Sequence, residues 1–502
     1  MRTKFIVVSV IVLAIQGAWA YYWPWEALSL LVTLPLFIMG IYEMLQKDHT
    51  IMRNFPVLGR LRYIMEVLRP KIYQYFVESD TDGTPINRIT RSVVYQRAKK
   101  QLSTAPFGTQ FDVYAPGYEW VNHSMRPYNS NEIEPKNLRV MVGEGNCDKP
   151  YSLSIFNISA MSFGSLSSRA VESLNWGAKV GGFAHNTGEG SISSYHTKHG
   201  GDLIWQIGTG YFGCRAAGGG FDPDQFKERS NLESVKMIEV KLSQGAKPGH
   251  GGILPGKKNT PEIAHARGVE PWTEVDSPPR HSAFDTNAEL LQFLVKLKKL
   301  SGGKPVGIKL CFGIPEEFEA LCKEIAESKI YPDFITIDGG EGGTGAAPVE
   351  FSNSIGTALR DGLVRACNSL IKYKIKDKIK IIAAGKVMTG FDIIRAVSLG
   401  ADACYSARGM MLALGCIQAL ECNKNTCPTG VATQDKSLIK GLVVEKKYIR
   451  VANFHSETVH AVSEILGSMG LLHTNQIKRS HIWRRVSITE TKTYAELYPE
   501  IS

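Results

Sequence analysis

The sequence predicts an α/β chain, a (β/α)8 TIM barrel preceded by an N-terminal two-helix membrane hairpin. Three observations lead there. Short apolar, β-rich runs recur from residue 151 onward, most of them followed by a helix-like segment. Several runs are almost continuously apolar, as parallel strands covered on both faces require. Ahead of them stand two long apolar stretches with basic residues at their outer ends.

The two stretches are residues 5–20 and about 27–45, with Tyr21, Tyr22, Trp23, Pro24 and Trp25 between them. Each is near the ~20 residues that span a bilayer. Aromatics gather at membrane interfaces, and Pro24 suits a tight turn. Arg2 and Lys4 precede the first run, and Lys47, Arg53, Arg60 and Arg62 follow the second. The positive-inside rule then puts both ends in the cytoplasm, so the protein is expected to be membrane-anchored with a cytoplasmic catalytic domain. A secretory signal ending at Ala18-Trp19-Ala20 is the rival reading. Two buried helices of a soluble protein are another.

Residues 47–150 read as a linker and packing region. Leu58–Tyr75 suits an amphipathic helix up to Pro70, and 80–135 is rich in Pro, Gly, Asn and Ser and is expected to be irregular. Strand candidates follow at Leu153–Ser159, Gly182–Asn186, Leu203–Ile207, Met237–Leu242, Val306–Cys311, Phe334–Asp338, Ile379–Ala384 and Ala401–Ser406. Helices fit at Ser167–Lys179, Asn287–Leu300, Pro315–Ser328, Asn353–Tyr373, Gly390–Leu399 and Gly409–Leu420. Strand–helix alternation argues for a parallel sheet, and eight units suit a closed barrel over 151–435. A doubly wound sheet would show an early G-x-G-x-x-G turn, and none follows the first strand. Gln244–Asp285 is a long insertion. The tail, 436–502, reads as helices at 441–452 and 455–470 and a basic patch at Lys478–Arg485; the segment around Arg450 and His455 is expected to cover the barrel or a neighbouring subunit of a homo-oligomer.

The net charge is +10, but the basic excess is not gathered in a stripe with interleaved aromatics, so nucleic acid is not an expected partner. Nine cysteines, six of them scattered, do not form a secreted disulfide framework. The other three, Cys416, Cys422 and Cys427, have the spacing C-x5-C-x4-C and are followed by Pro428. Zinc would want a fourth ligand. Iron–sulfur ligation and buried structural thiols both remain open on spacing alone.

Barrel active sites form in the loops after the strands. Here those loops carry Ala160-Met161-Ser162, Gly188-Glu189-Gly190, Ser243-Gln244-Gly245-Ala246-Lys247, the run Gly339 to Gly345, and Gly385-Lys386. Glycine lets backbone N–H groups come close to a phosphate or flat ring. Phosphate in barrels often binds at the seventh and eighth loops, which makes Gly385, Lys386, Ser406 and Ala407 phosphate candidates. Lys309 ends an apolar strand, where it either snorkels or puts positive charge beside a cofactor. Lys241 poses the same choice.

The runs ISAMSFGSLS, HNTGEGS, EVKLSQGAKPGHGGILPG, IDGGEGGTGAAP and GCIQALECNKNTCPTGVATQ closely resemble the synthase domain of glutamate synthases, in that family's order. The run RNFPVLGRLRYIMEVLRP resembles its stand-alone, membrane-anchored branch. The resemblance implies a barrel that binds FMN and a 3Fe–4S cluster on Cys416, Cys422 and Cys427. It implies conversion of 2-oxoglutarate or a similar 2-oxo acid, with ammonia, to 2-iminoglutarate, and hydride delivery from reduced FMN to give L-glutamate. The implied substrate residues are Glu189, Lys241, Gln244, Lys247 and Lys258. The implied flavin residues are Ala160, Met161, Ser162, Gln206, Lys309, Gly339, Gly385 and Ser406, with Gly340, Gly342, Gly343, Thr344, Lys386 and Ala407 in the same loops. Two departures stand out. No cysteine precedes Cys147, so the family's N-terminal glutaminase chemistry is not expected, and ammonia and electrons must come from outside, the latter from an unidentified donor. His250 stands where the family usually has Glu. The alternative is another FMN barrel oxidoreductase acting on a related 2-oxo, 2-hydroxy or amino acid. A 2-hydroxy acid oxidase would want a base histidine, for which His250 and His281 are the candidates.

Overall fold

The computed structural model describes residues 1–102 and 104–501. It divides into two compact units, Met1–Pro85 and Ile86–Ser502.

In the first unit, helices Arg2–Tyr22 and Leu30–Leu45 are joined by a 3₁₀ turn over Pro24–Ser29. Proline opens that turn, where its missing N–H leaves no bond unmade. The Phe5 and Phe37 rings stack 6.4 Å apart, and Thr33 Oγ1 donates to Gln16 Oε1 at 2.7 Å. The stretches Arg2–Tyr22 and Pro24–Leu45 are long and apolar enough to cross a membrane. The following helix, Gly59–Ile72, does not stop at Pro70 as the sequence suggested. Pro70 falls in its last turn and the chain leaves through a π-turn at Tyr73–Val77.

The second unit holds a closed eight-stranded barrel. Its strands are β1 (Phe156–Ile158), β2 (His185–Asn186), β3 (Leu203–Ile207), β4 (Val235–Lys241), β5 (Val306–Leu310), β6 (Phe334–Asp338), β7 (Lys380–Ala384) and β8 (Ala403–Ser406). All neighbours pair in parallel, and β8 pairs with β1 to close the ring. Helices follow most strands, and the helix-facing residues form one large apolar cluster. A second cluster fills the barrel's lower interior with Ile204, Met237, Phe334, Ile382 and Tyr405. Val142 and Leu153 from an antiparallel hairpin, Arg139–Val142 with Tyr151–Ser154, join it and stopper that end.

Four segments differ from the sequence reading. Asn353–Tyr373 is two helices, Val349–Ser354 and Leu359–Lys372, interrupted around Gly356 at φ +101°. The helix expected at Gly409–Leu420 ends at Leu414, because Gly415 takes the left-handed conformation and releases the chain into the cysteine loop. The two tail helices are one, Val444–Ser468, whose buried stripe of Val451, Phe454, His455, Thr458, Val459 and Val462 runs unbroken past the expected gap. It covers the barrel helix Ser168–Gly181 of its own chain. Within the expected irregular stretch, Arg88–Lys99 is a helix capped by Asn87, whose side chain accepts from Thr90 N.

Strand Glu119–Val121 pairs with Ile482–Arg485, which pairs with Thr491–Thr493. The Glu119 side chain is 5% exposed and gathers Arg360, Arg395 (2.6 Å), Arg484 (2.9 Å) and the Tyr494 hydroxyl (2.8 Å). It thereby fastens this small sheet to two barrel helices. Burial opposes its charge, but Arg395 and Arg360 outweigh that and hold its carboxyl below the usual range. Such a carboxylate stabilises above its unfolded pKa and loses the effect as pH falls through its lower native pKa. Glu119→Gln is therefore expected to cost about 3 kcal/mol near neutral pH. Urea titrations followed by tryptophan fluorescence (Trp120 and Trp483 stack in this sheet) should show that difference constant down to about pH 5 and shrinking below about pH 4.3.

Candidate active site

The barrel interior changes chemistry along its axis. Above the apolar layer, Glu239 of β4 is fully buried. It accepts from Asn186 Nδ2 at 2.8 Å, Gln206 Nε2 at 2.6 Å and Thr336 Oγ1 at 2.8 Å. Two residues further along β4, on the same face, comes Lys241. In the β4–β5 register Lys241 lies beside Lys309, so two buried ammonium groups are neighbours. Carboxylates flank them. Glu189 meets Lys241 Nζ at 2.7 Å, and Asp338 meets Lys309 Nζ at 3.2 Å. Burial disfavours the charge on Lys309, but Asp338, Glu239 and Glu189 more than offset it and raise its pKa. Burial likewise opposes ionisation of Glu189, yet Lys241, Arg267 and Lys247 hold its carboxyl below the normal range.

Loop geometry fixes these groups. Gly188, at φ +63°, lets the Glu189 turn press on the β1 loop, since a Cβ there would stand 2.7 Å from Ser162 N. Asp338 Oδ2 accepts from Gly245 N at 3.0 Å, pinning the β4 loop. That loop brings Gln244, whose Oε1 is 3.5 Å from Lys241 Nζ, and buried Lys247, whose Nζ donates to Ala346 O at 3.2 Å. From the insertion helix Pro261–Arg267 comes Arg267, which the sequence reading missed. It is buried, donates to Phe163 O at 3.1 Å, lies over the Phe212 ring, and has its pKa pulled to about 10 by burial. Its Nε has no partner among the described residues. Lys241, Lys247, Lys309 and Arg267 outnumber Glu189, Glu239 and Asp338, so the pocket carries excess positive charge.

The expected flavin loops gather at the same end. Met161 is buried after β1, and Ser162 Oγ meets Ser165 Oγ at 3.0 Å. Gly339 N bonds Ala384 O at 2.7 Å and Gly340 N bonds Thr357 O at 2.8 Å, while Gly343 and Thr344 further along the loop are exposed. Ser406 Oγ donates to Val387 O at 2.6 Å and so ties the β8 loop, with Ala407, to the β7 loop with Gly385 and Lys386. Arg408 donates to Glu341 O at 2.6 Å. Burial first, and Arg408 second, lower the Lys386 pKa. Glu341 shares the field of both Lys386 and Arg408, and these two cations with the loop N–H groups form a donor set that suits a phosphate, which is the chemistry FMN asks of this position. The sequence reading did not single out Arg408.

The three cysteines follow β8, and none is in a disulfide. Burial raises the Cys416 pKa to about 11 and raises that of Cys422, with neighbouring thiols adding to both. Burial also opposes ionisation of Cys427, but hydrogen bonds from Thr429 and backbone N–H groups outweigh it. Among the described residues no three His, Cys, Asp or Glu side chains converge on a single metal ion. A cluster asks for something else, since each thiolate takes its own iron and the ligands surround a volume. Three free, mutually interacting thiols on one loop are a donor set that suits it. Lys258 lies here and not with the substrate candidates. It is buried, and its Nζ donates to Cys422 O at 2.8 Å, Ala432 O at 3.1 Å and Ser165 O at 3.5 Å.

The two candidate base histidines are both hydrogen-bonded. His281 is buried with Nδ1 3.0 Å from the Tyr211 hydroxyl and Nε2 2.9 Å from Lys241 O, and burial pulls its pKa to about 4. It holds the strand end and is not free to act as a base. His250 Nδ1 lies 2.9 Å from Gly251 O.

The family model described as the conserved region in glutamate synthase matches residues 102–472. The Bacillus subtilis glutamate synthase large subunit-like protein YerD is 37% identical over 494 residues, covering 90% of this chain and 93% of that protein. The archaeal-type glutamate synthase (NADPH) of Thermotoga maritima is 33% identical over 313 residues, covering 62% of this chain and 58% of that protein. The glutamate synthase (NADPH) large chain of Bacillus subtilis is 31% identical over 347 residues, covering 66% of this chain and 22% of that one.

Lys309→Met removes one member of the paired ammonium groups and leaves Asp338, whose side chain is only 14% exposed, without its ion partner. A loss of about 3 kcal/mol in urea denaturation is expected, and the double variant Lys309→Met/Asp338→Asn should recover part of it.

Proposed function

We propose that this chain, which belongs to the glutamate synthase family, makes L-glutamate from 2-oxoglutarate, ammonia and externally supplied electrons. It is a glutamate synthase-like oxidoreductase, and the finer reading rests on one observation: the Glu189–Lys241 ion pair at the mouth of a barrel pocket with excess positive charge. A substrate with two carboxylates needs two cationic anchors, and Arg267 and Lys247 supply them from the insertion. Lys241 then faces the 2-oxo group. Its ammonium polarises the carbonyl and delivers in turn the two protons with which the oxygen leaves as water when ammonia adds, being reprotonated through Glu189 by the protons that the nitrogen gives up. Glu189 orients that ammonium and takes protons from the incoming nitrogen. FMN, when bound, supplies hydride to the imine carbon, and a proton taken up from solvent completes the amine. Lys386 and Arg408 would hold its phosphate, and Gln206 and Lys309 would face its ring side. Cys416, Cys422 and Cys427 would hold a 3Fe–4S cluster that passes single electrons inward.

The two apolar helices support a membrane hairpin with the barrel on the cytoplasmic side, which fits an electron donor resident in or at the membrane. Such a donor, and the source of ammonia, lie outside this chain.

Anaerobic, FMN-loaded protein reduced with dithionite should reoxidise on adding 2-oxoglutarate and ammonium and release glutamate. Absence of glutamate would overturn the substrate assignment. Lys241→Met should lower kcat by at least about 100-fold, whereas Arg267→Lys should chiefly raise KM for 2-oxoglutarate, by about tenfold or more. Cys422→Ser should lose iron and labile sulfide; unchanged iron content would refute the ligand set.

A further inference from the structure

The insertion that carries Lys247 and Arg267 also carries Lys258, whose ammonium is buried against the cysteine loop. Three backbone carbonyls surround its Nζ: Cys422 at 2.8 Å, Ala432 at 3.1 Å and Ser165 at 3.5 Å. No carboxylate is paired with it among the described residues. Three acceptors match the three N–H bonds of the charged form, while a neutral amine has only two. The residue is 4% exposed, so water screens its charge little. The groups that share its field are the Cys422 and Cys427 thiols.

We propose that Lys258 is a positioning residue for the iron–sulfur cluster: its fixed ammonium pins the cysteine loop and raises the cluster's reduction potential. The inference rests on the cluster assignment above. A one-electron reduction adds negative charge to the cluster, and a neighbouring cation that water cannot screen favours the reduced form. The same side chain reaches from the substrate-binding insertion to the loop after β8 and to Ser165 in the loop after β1. Electron entry and substrate binding therefore share one structural support.

The test uses the full chain, purified anaerobically, with iron and sulfide quantified and the midpoint followed by electron paramagnetic resonance during dithionite titration. Three variants are compared: Lys258→Met, neutral and of similar length; Lys258→Gln, neutral but still able to donate to a carbonyl; and Lys258→Arg, which keeps the charge. The proposal expects both neutral variants to hold iron and to need a lower potential, with the reduced-to-oxidised ratio down at least tenfold, or about 59 mV for one electron. Lys258→Arg should stay near the parent. A neutral variant with full iron and an unchanged midpoint overturns it. If both neutral variants lose iron, Lys258→Arg decides: retained iron at the parent midpoint supports the charge, and lost iron refutes it. Parent protein without iron would instead overturn the cluster assignment, a failure separate from that of Lys258.

Discussion

Two ammonium groups side by side inside a parallel barrel are the constraint around which the site is built. Lys241 and Lys309 are register partners on adjacent strands and both are buried. Unbalanced, that pair would repel strongly in a medium of low polarity. Each therefore has its own carboxylate, Glu189 on one side and Asp338 on the other, and Glu239 lies a layer below. The balancing groups come from three different strands or their loops. Satisfying the pair thus fixes the relative positions of the β2, β4 and β6 loops, with Asp338 doing so twice over by also binding Gly245 N.

The layers of the interior follow from the same requirement. A charged layer buried among apolar side chains would be costly unless polar groups lay between them. Glu239, Asn186, Gln206 and Thr336 form that intermediate layer, and every bond among them is 2.8 Å or shorter. Below it the barrel is apolar and stoppered by Val142 and Leu153. The charge is confined to the end where strands finish and loops begin, which is where substrate and cofactor can reach it.

Much of this was legible in the sequence. Strands β3 and β6 fall on the predicted bounds, and the others within a few residues, because strands covered on both faces must be almost wholly apolar. Glu189, Lys241, Gln244 and Lys247 were singled out and are brought together. What was not legible depended on partners distant in sequence. Glu239 looks like any polar residue in a strand until Asn186, Gln206 and Thr336 are brought round it by barrel closure. Arg267 sits in a short insertion helix with no periodic signal pointing inward. Lys258 lies eleven residues after Lys247, close enough to share its expected role, but the 3₁₀ turn at Gly256–Lys258 sends it towards the cysteine loop. Helix lengths failed where a glycine, Gly356 or Gly415, allowed a backbone conformation that apolar spacing does not report.

Barrel closure also explains why the cysteine loop lies where it does. Pairing of β8 with β1 makes the last loop of the barrel a neighbour of the first, though they are about 260 residues apart in sequence. Side chains then sew the seam. Gln434 Nε2 donates to Gly164 O at 3.0 Å and to Leu166 O at 2.9 Å, Ser167 Oγ donates to Gly430 O at 2.6 Å, and Lys258 spans both loops from the insertion. The β1 loop carries Met161 and Ser162, and the β2 turn bearing Glu189 presses on it through Gly188. A continuous packed path thus runs from the cysteines through the β1 loop to the Glu189–Lys241 pair. The three thiols thus lie on one side of a seam whose other side touches the Glu189–Lys241 pair, and it is ring closure, a property of no local segment, that joins them.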